Sequence, residues 1–164
     1  MSFSGNYTLP TLVTALAIGF QQLIKTMNGD KYVREINQNI FIIRGKMILL
    51  IEDNFDVREN TTEILQLAGY KVVTACNGKE GVKLAEIQIP ELIICDIMMP
   101  ELDGYGVLGV LKKNTATAGI PFIFLSAKED CGSKKSVDAD AYITKPFDDG
   151  NLLETVKKCL RKNF

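Results

Sequence analysis

Five polar side chains able to do chemistry stand directly after short apolar runs of the sequence. They are Glu52, Asp53, Asp96, Ser126 and Lys145. Three carboxylates brought together repel one another and are driven toward protonation unless a cation compensates. A single ammonium does not balance three acids, whereas a hard divalent ion with oxygen ligands would. Mg²⁺ takes a few carboxylates, keeps several waters and engages phosphates, so this set predicts a site for a phosphoryl group.

Each of these residues also has a simpler explanation. Glu52 and Asp53 are compatible with a solvated loop, and Asp96 with an acid that caps or solvates the end of a strand. Ser126 is compatible with a turn hydroxyl, and Lys145 with a surface cation. The joint occurrence of all five is harder to explain in this way, because turn residues at strand ends are as often Gly, Asn or Ser as charged.

The elements that must position these side chains are apolar runs that alternate with helical patterns. Five runs have the character of buried strands bounded by turn residues: Met47 to Ile51, Lys71 to Ala75, Leu92 to Cys95, Pro121 to Leu125 and Ala141 to Thr144. The alternation predicts a parallel, doubly wound α/β domain with right-handed crossovers. Ligands of such sheets bind outside the carboxyl ends of the strands, where the five polar residues fall.

Helix start signals stand between the predicted strands. The predicted starts are Asp56, Asn77, Asp103 and Asp148. Glu59 stands three positions after Asp56 and completes the pattern of a capping box. The segment before the fifth predicted strand is polar and poorly patterned, and we expect a short helix there with Lys134 to Val137 at its heart.

Composition excludes several classes of function. The chain has 164 residues, 46% of them hydrophobic and 24% charged, which is enough for one ordinary domain with a modest appendage. A formal net charge of -1 gives no excess of positive charge for binding nucleic acid. The absence of histidine rules out Ser-His and Cys-His catalysis and a phosphohistidine carried by this chain. Four scattered cysteines fit a reducing cytosol, so we expect a cytoplasmic protein.

The first 45 residues form a separate predicted extension. Apolar residues at helical spacing predict an amphipathic helix from about Pro10 to Met27, which is too short and interrupted for a membrane span. Core packing or a partner-facing role suits this helix better than binding to a membrane surface, because its polar side carries few cations. Lys31 to Arg44 is compatible with a strand or a helix. Met47 leaves open that the upstream stretch precedes the usual start.

Four motifs in order resemble the receiver domain of two-component response regulators. They are Glu52-Asp53, the run from Asp96 to Gly104, Ser126-Ala127 and the run from Tyr142 to Phe147. The resemblance covers Lys46 to Phe164, so a receiver domain is predicted over 46–164. It implies a flavodoxin-like fold, a five-stranded parallel sheet of order 2-1-3-4-5, preceded by the N-terminal helical extension.

The same resemblance implies a role for each acid. It makes Asp96 the phosphoacceptor. Asp53 and Asp96 become side-chain ligands of Mg²⁺, and Glu52 acts through water. The backbone carbonyl of Met98 is the remaining ligand that the protein provides. Pro100 and Gly104 are expected to fix the loop that presents that carbonyl.

The resemblance also assigns the residues around the phosphoryl group. Ser126 would donate to one phosphoryl oxygen and Lys145 would pair with another, with a cis peptide bond between Lys145 and Pro146. Ser126 and Tyr142 would act as the switch, moving on phosphorylation. The segment from Ser126 to Lys145 is about one helical turn shorter than the family's pattern, which puts the usual partner and dimer face in doubt.

Fewer than twenty residues follow Lys145, so we expect a stand-alone receiver that signals by docking to a downstream target protein. The phosphodonor would be a sensor histidine kinase or a histidine phosphotransfer protein. We expect no enzyme activity beyond self-phosphorylation and autodephosphorylation, no nucleic acid and no membrane insertion, and the question of a homodimer is open. Two alternatives remain: a phosphorylation-independent binding module, and a Mg²⁺-dependent phosphohydrolase, although Met98 occupies the place where such hydrolases commonly carry a second acid.

Overall fold

The computed structural model of the chain describes residues 45–127 and 139–161, which belong to one compact unit. The predicted helix over residues 10–27, the segment 31–44 and the predicted short helix around 134–137 lie outside the described residues. The strands are β1 (Met47–Ile51), β2 (Lys71–Ala75), β3 (Leu92–Asp96), β4 (Phe122–Ser126) and β5 (Ala141–Thr144). The helices are α1 (Phe55–Leu67), α2 (Gly78–Gln88), α3 (Gly104–Leu111) and α4 (Asp149–Arg161).

The five strands form one parallel sheet in the order β2-β1-β3-β4-β5. This confirms the predicted doubly wound, flavodoxin-like sheet of order 2-1-3-4-5. The register sets Ile51 beside Cys95 and Asp96 beside Leu125, so the carboxyl ends of the central strands finish level with one another. Parallel strands covered by helices on both faces are apolar throughout. The buried runs of β1, β3 and β4 fit that arrangement.

Alternate residues of the strands supply two separate hydrophobic cores, because successive side chains of a strand point to opposite faces. On one face Leu49 and Ile51 pack in a cluster with residues of α2 and α3. On the other face Ile48 and Leu50 pack with residues of α1 and α4. The residues just beyond each strand's carboxyl end therefore emerge from a sheet that is held on both sides.

The start of α1 differs from the prediction. Asn54, and not Asp56, caps the helix: its backbone is extended and its side-chain oxygen accepts the Val57 N–H at 3.1 Å. Asn caps a helix as well as Asp does, so the helix can begin two residues earlier. Asp56 lies within the first turn, where its charge favours the positive end of the helix. The loop between β1 and α1 is consequently only Glu52 to Asn54.

The other helix starts agree with the sequence. Asn77 caps α2 and Asp103 caps α3, each through a side-chain oxygen that accepts a backbone N–H. Asp148 directly precedes α4, and its side chain accepts the N–H of Asn151 at 2.9 Å. Among the described helices, none is long and apolar enough to cross a membrane.

Both central strands run one residue further than predicted. β3 includes Asp96 and β4 includes Ser126, because parallel pairing continues to Leu125 and Thr144 on the neighbouring strands. β4 begins at Phe122 rather than at Pro121. Asp96 and Ser126 therefore occupy the last paired positions of their strands, with less freedom than loop residues would have.

Candidate functional site

Three carboxylates meet at the carboxyl edge of the sheet. Glu52 follows β1, Asp96 ends the adjacent β3, and Asp53 extends from the β1–α1 loop. Their ligand oxygens all lie within 4.8 Å of one another, a grouping that could hold a metal ion. Glu52 and Asp96 are buried, whereas Asp53 is exposed. The register of β1 and β3 explains the meeting, since Ile51 and Cys95 are partners and the next residue of each strand is an acid.

The Lys145 ammonium lies among these acids. Its Nζ is 2.7 Å from Oε2 of Glu52 and 3.0 Å from Oδ1 of Asp96. Lys145 follows β5, and the peptide bond to Pro146 is cis, as the resemblance implied. The Lys145 N–H also donates to the carbonyl of Ser126 at 2.7 Å, which ties the lysine to the end of β4.

Burial and charge shift the protonation of all three paired groups. Burial raises the pKa of Glu52 and of Asp96, and hydrogen bonds from Lys145 oppose the shift without cancelling it. Burial lowers the pKa of Lys145, but its hydrogen bonds to Glu52 and Asp96 outweigh burial and the net pKa is raised. The buried acids are thus undercompensated by one ammonium, and a further positive charge would stabilise their ionised forms.

Ser126 lies at the same rim, one residue beyond the β4 partner of Asp96. It is 1% exposed and pairs with Thr144 of β5. Its predicted function toward a phosphoryl oxygen requires its hydroxyl to be close to Asp96, and the neighbouring strands place the two residues on adjacent rungs.

The loop after β3 is held close to Asp96. The N–H of Gly104 donates to the carbonyl of Ile97 at 2.9 Å, and a β-carbon at position 104 would collide with the carbonyl oxygen of Asp96. The side chain of Met98 is 65% exposed, so Met98 contributes little to the core. Glycine at position 104 is therefore required by the close approach of α3 to the end of β3.

Tyr142 lies on β5 beside Phe124 of β4, with ring centroids 5.3 Å apart. Phe124 in turn contacts Tyr105 of α3 at 5.0 Å. Tyr142 remains 37% exposed. Tyr142 is thus in contact with Phe124 and partly exposed, which is compatible with both a packing role and the predicted switch.

One residue at the site was missed by the sequence analysis. Arg58 of α1 donates from Nη1 to the backbone carbonyls of Glu52 and Asp53. A basic residue one turn into a helix is common, and its type alone gives no sign that its partners are carbonyl oxygens. Its spacing of five residues from Asp53 was the only available signal.

Comparison with known proteins agrees with the fold. The family model for the response regulator receiver domain matches residues 48–157. The chain therefore belongs to the response regulator receiver domain family, the signalling domains of two-component systems. The prediction of a signalling domain agrees with this membership.

The relatives that the chain matches differ in how much of their own length the match covers. The chain is 39% identical over 122 residues to the probable transcriptional regulator ycf27 of Cyanidium caldarium. This match covers 73% of this chain and 48% of that protein. It is 36% identical over 117 residues to protein PilG of Pseudomonas aeruginosa, covering 69% of this chain and 86% of PilG. The chain spans about half the length of the ycf27 relatives it matches. A stand-alone organisation and the absence of a nucleic-acid partner thus stay predictions.

A solved structure gives the same fold with a metal. The receiver domain of sensor histidine kinase PA1611 from Pseudomonas aeruginosa, solved with a magnesium ion coordinated in its active site cleft, matches with a TM-score of 0.65 and 29% identity. The match covers 71% of this chain and 98% of that one. Receiver domains bind Mg²⁺ in the active site, and Glu52, Asp53 and Asp96 of this chain form an acidic cluster that could hold a metal ion.

Proposed function

We propose that this chain accepts a phosphoryl group on Asp96 from a phosphohistidine of a sensor histidine kinase or histidine phosphotransfer protein, and signals by phosphorylation-dependent docking to a target protein. The observation that carries the proposal is the position of the buried Asp96 carboxylate, 3.0 Å from the Lys145 ammonium and in one cluster with Glu52 and Asp53. Phosphoryl transfer needs positioning and charge neutralisation more than covalent help, and this arrangement supplies both.

The transfer is a single displacement at phosphorus. A carboxylate oxygen of Asp96 attacks the phosphorus, an O–P bond forms, and the P–N bond to the partner's imidazole breaks with its electron pair left on nitrogen. Lys145 pairs with one phosphoryl oxygen and the Ser126 hydroxyl donates to another. Slow autodephosphorylation follows when water attacks the phosphorus and the Asp96 carboxylate leaves, releasing inorganic phosphate.

The donor set suits Mg²⁺. It consists only of oxygen atoms, carboxylate and carbonyl, which are the ligands that a hard divalent cation prefers. We assign Asp53 and Asp96 as side-chain ligands, Glu52 as a ligand through water, and the Met98 backbone carbonyl as the last protein donor. When bound, the ion neutralises charge on the phosphoryl oxygens. The raised pKa values of Glu52 and Asp96, which burial causes, support the need for this added positive charge.

Signalling would follow from the new charge at Asp96. Phosphorylation can bias an element that has two arrangements. Ser126 and Tyr142 are the residues that we propose to move, because Ser126 ends the strand beside Asp96 and Tyr142 contacts Phe124 while 37% exposed. We propose a receiver domain over 46–164 and an extension over 1–45.

Chemical phosphorylation tests the assignment. Incubation with acetyl phosphate and Mg²⁺ is expected to add one acid-labile phosphate, and Asp96→Asn is expected to abolish it. Asp56→Asn is the matched control, because Asp56 is an exposed acid on α1 outside the cluster. Phosphate gained by Asp96→Asn would contradict the assignment. Steady turnover of a phosphate ester would favour a hydrolase, and unchanged target affinity after beryllofluoride addition would favour a phosphorylation-independent binding module.

A further inference from the structure

The Arg58 side chain reaches back from α1 across the β1–α1 loop. Its Nη1 donates to the carbonyl oxygen of Glu52 at 2.6 Å and to that of Asp53 at 3.2 Å. Both acceptors belong to residues of the acid cluster, and both are backbone atoms. Arg58 therefore contacts the chain that carries the acids, whereas Lys145 contacts the acids themselves.

These two hydrogen bonds hold the backbone on either side of the Asp53 α-carbon. The Glu52 carbonyl belongs to the peptide group before that atom, and the Asp53 carbonyl belongs to the peptide group after it. With both groups bonded to one guanidinium nitrogen, the φ and ψ angles of Asp53 are restrained, and the direction of its Cα–Cβ bond is set with them.

Asp53 depends on its backbone more than Glu52 does. The Glu52 carboxylate is buried and is held by the Lys145 ammonium and by the N–H of Asn54 at 3.3 Å. Asp53 is exposed, so packing does little to fix its side chain. The orientation of the Asp53 carboxylate toward those of Glu52 and Asp96 therefore depends mainly on the backbone that Arg58 holds.

Phe55 limits the freedom of Arg58. The Arg58 guanidinium carbon lies 5.5 Å from the centre of the Phe55 ring, within the range of a cation–π contact. Phe55 is 63% exposed, so its ring adds little to the hydrophobic core and instead covers one face of the guanidinium. Arg58 is thereby held between an aromatic face and two carbonyl oxygens.

We propose that Arg58 is a positioning residue for the metal site, fixing the backbone of Asp53 so that its carboxylate faces the cation, and that Phe55 holds Arg58 in place. The inference rests on the proposed function, because it takes the acid cluster to bind Mg²⁺. A supporting residue outside the ligand set can contribute about tenfold or more to metal affinity.

The sign of the effect separates positioning from charge. A guanidinium near the cluster repels a divalent cation, so removing only its charge would strengthen Mg²⁺ binding, most visibly at low salt. Removing a positioning residue weakens Mg²⁺ binding at low and at high salt alike. The two mechanisms therefore predict opposite changes for the same substitution.

Calorimetric titration of the metal-free chain with Mg²⁺ tests the proposal. Arg58→Gln is expected to weaken Mg²⁺ binding about tenfold at both salt concentrations. Arg58→Lys is expected to restore part of the loss, because an ammonium can still donate to one carbonyl. Lys83→Gln is the matched control for charge: Lys83 is an exposed cation on α2, and its removal should leave the affinity unchanged or slightly raised. Unchanged or tighter binding by Arg58→Gln would overturn the proposal.

Two further variants keep the outcome clear. Phe55→Leu leaves all charges in place and is expected to weaken Mg²⁺ binding by a smaller factor than Arg58→Gln does. If Arg58→Gln does not fold, Phe55→Leu and Arg58→Lys together test the proposal. Unchanged Mg²⁺ affinity in both variants would then refute it. Asp53→Asn removes a proposed ligand and gives the lowest Mg²⁺ affinity expected in this series. Absence of binding by the unmodified chain would refute the proposed metal site as well, whereas normal binding by the unmodified chain and by Arg58→Gln would refute only the role of Arg58.

Discussion

The Lys145 ammonium lies 2.7 Å from the Glu52 carboxylate, although 93 residues and two intervening strands, β3 and β4, separate the two positions. The lysine side chain spans this part of the sheet edge and passes Asp96 on the way, at 3.0 Å. One cation thereby links the first and last strands of the domain through the proposed phosphoacceptor. The ion pair is part of the site and also part of the fold.

Lys145→Met should lower the free energy of unfolding by about 2 kcal/mol at neutral pH, because it leaves Glu52 and Asp96 buried without their cation. The loss should shrink as the pH falls, since both acids can then become neutral. Urea unfolding at neutral and acidic pH measures this. Lys158→Met is the control, because its partner Glu154 is exposed and the pair should add little stability. Equal losses in the two variants would contradict the assigned importance of the buried pair.

Stability of the metal-free chain should fall as the pH rises through the raised pKa values of Glu52 and Asp96. Their ordinary values are 4.5 and 3.8, and burial raises both in the folded state. The folded chain therefore binds these protons more tightly than the unfolded chain does, which favours folding at low pH. Mg²⁺ competes with the protons, so its stabilising effect should grow over the same pH range. Thermal unfolding with and without Mg²⁺ measures the difference.

The control for this pH dependence is Asp53→Asn, which removes a proposed ligand but keeps both buried acids. It should retain the fall in metal-free stability and lose most of the Mg²⁺ effect. A Mg²⁺ effect that stays constant across the pH range would show that the ion binds away from the buried acids.

Gly104→Ala should destabilise the fold by about 1 to 3 kcal/mol, because the added methyl group collides with the carbonyl oxygen of Asp96. It should also slow phosphorylation by acetyl phosphate, since the collision displaces the end of β3. Gly109→Ala on the same helix is the control: apart from its chain neighbours and the helix backbone, no atom lies within 4 Å of its new β-carbon. The change should stabilise α3 by about 1 kcal/mol. Similar effects at both positions would contradict the close approach at Gly104.

Ile89→Gly should stabilise the chain by about 1 kcal/mol, because Ile89 has a φ of 44° and a β-branched side chain is strained in that left-handed conformation. Its N–H still caps α2 through the carbonyl of Ala85, and glycine keeps that bond. Ile87→Gly, an exposed position inside α2, should instead destabilise by about 0.5 to 1 kcal/mol. Urea unfolding compares the two; a loss at position 89 as large as that at position 87 would mean that packing of Ile89 outweighs its strain.

The strands and their order could be predicted because buried parallel strands leave long apolar runs, and because the motifs resemble a known family. The meeting of Glu52, Asp96 and Lys145 followed from the rule that strand ends share an edge. Their pairing could not be predicted, since the choice of Glu52 as the nearest partner of Lys145 depends on side-chain paths across β3 and β4.

Two local features were beyond sequence reasoning for different reasons. Asn54 and Asp56 are equally good caps, and only the short β1–α1 loop selects Asn54. Arg58 donates to backbone carbonyls, which every residue has, so the residue types at positions 52 and 53 do not show that they are its partners. Helix caps such as Asn77 and Asp103 also bind the main chain, but their residue types are typical of that role, whereas an arginine within a helix is not.

The direction of α1 has a practical use. The helix begins beside the acid cluster at Phe55 and ends after 13 residues at Leu67, whose side chain is 82% exposed. A helix of this length carries the chain about 20 Å away from its start. A fluorophore or surface attachment placed at position 67 would therefore report on, or immobilise, the domain while leaving the carboxyl edge of the sheet open to ions and partner proteins.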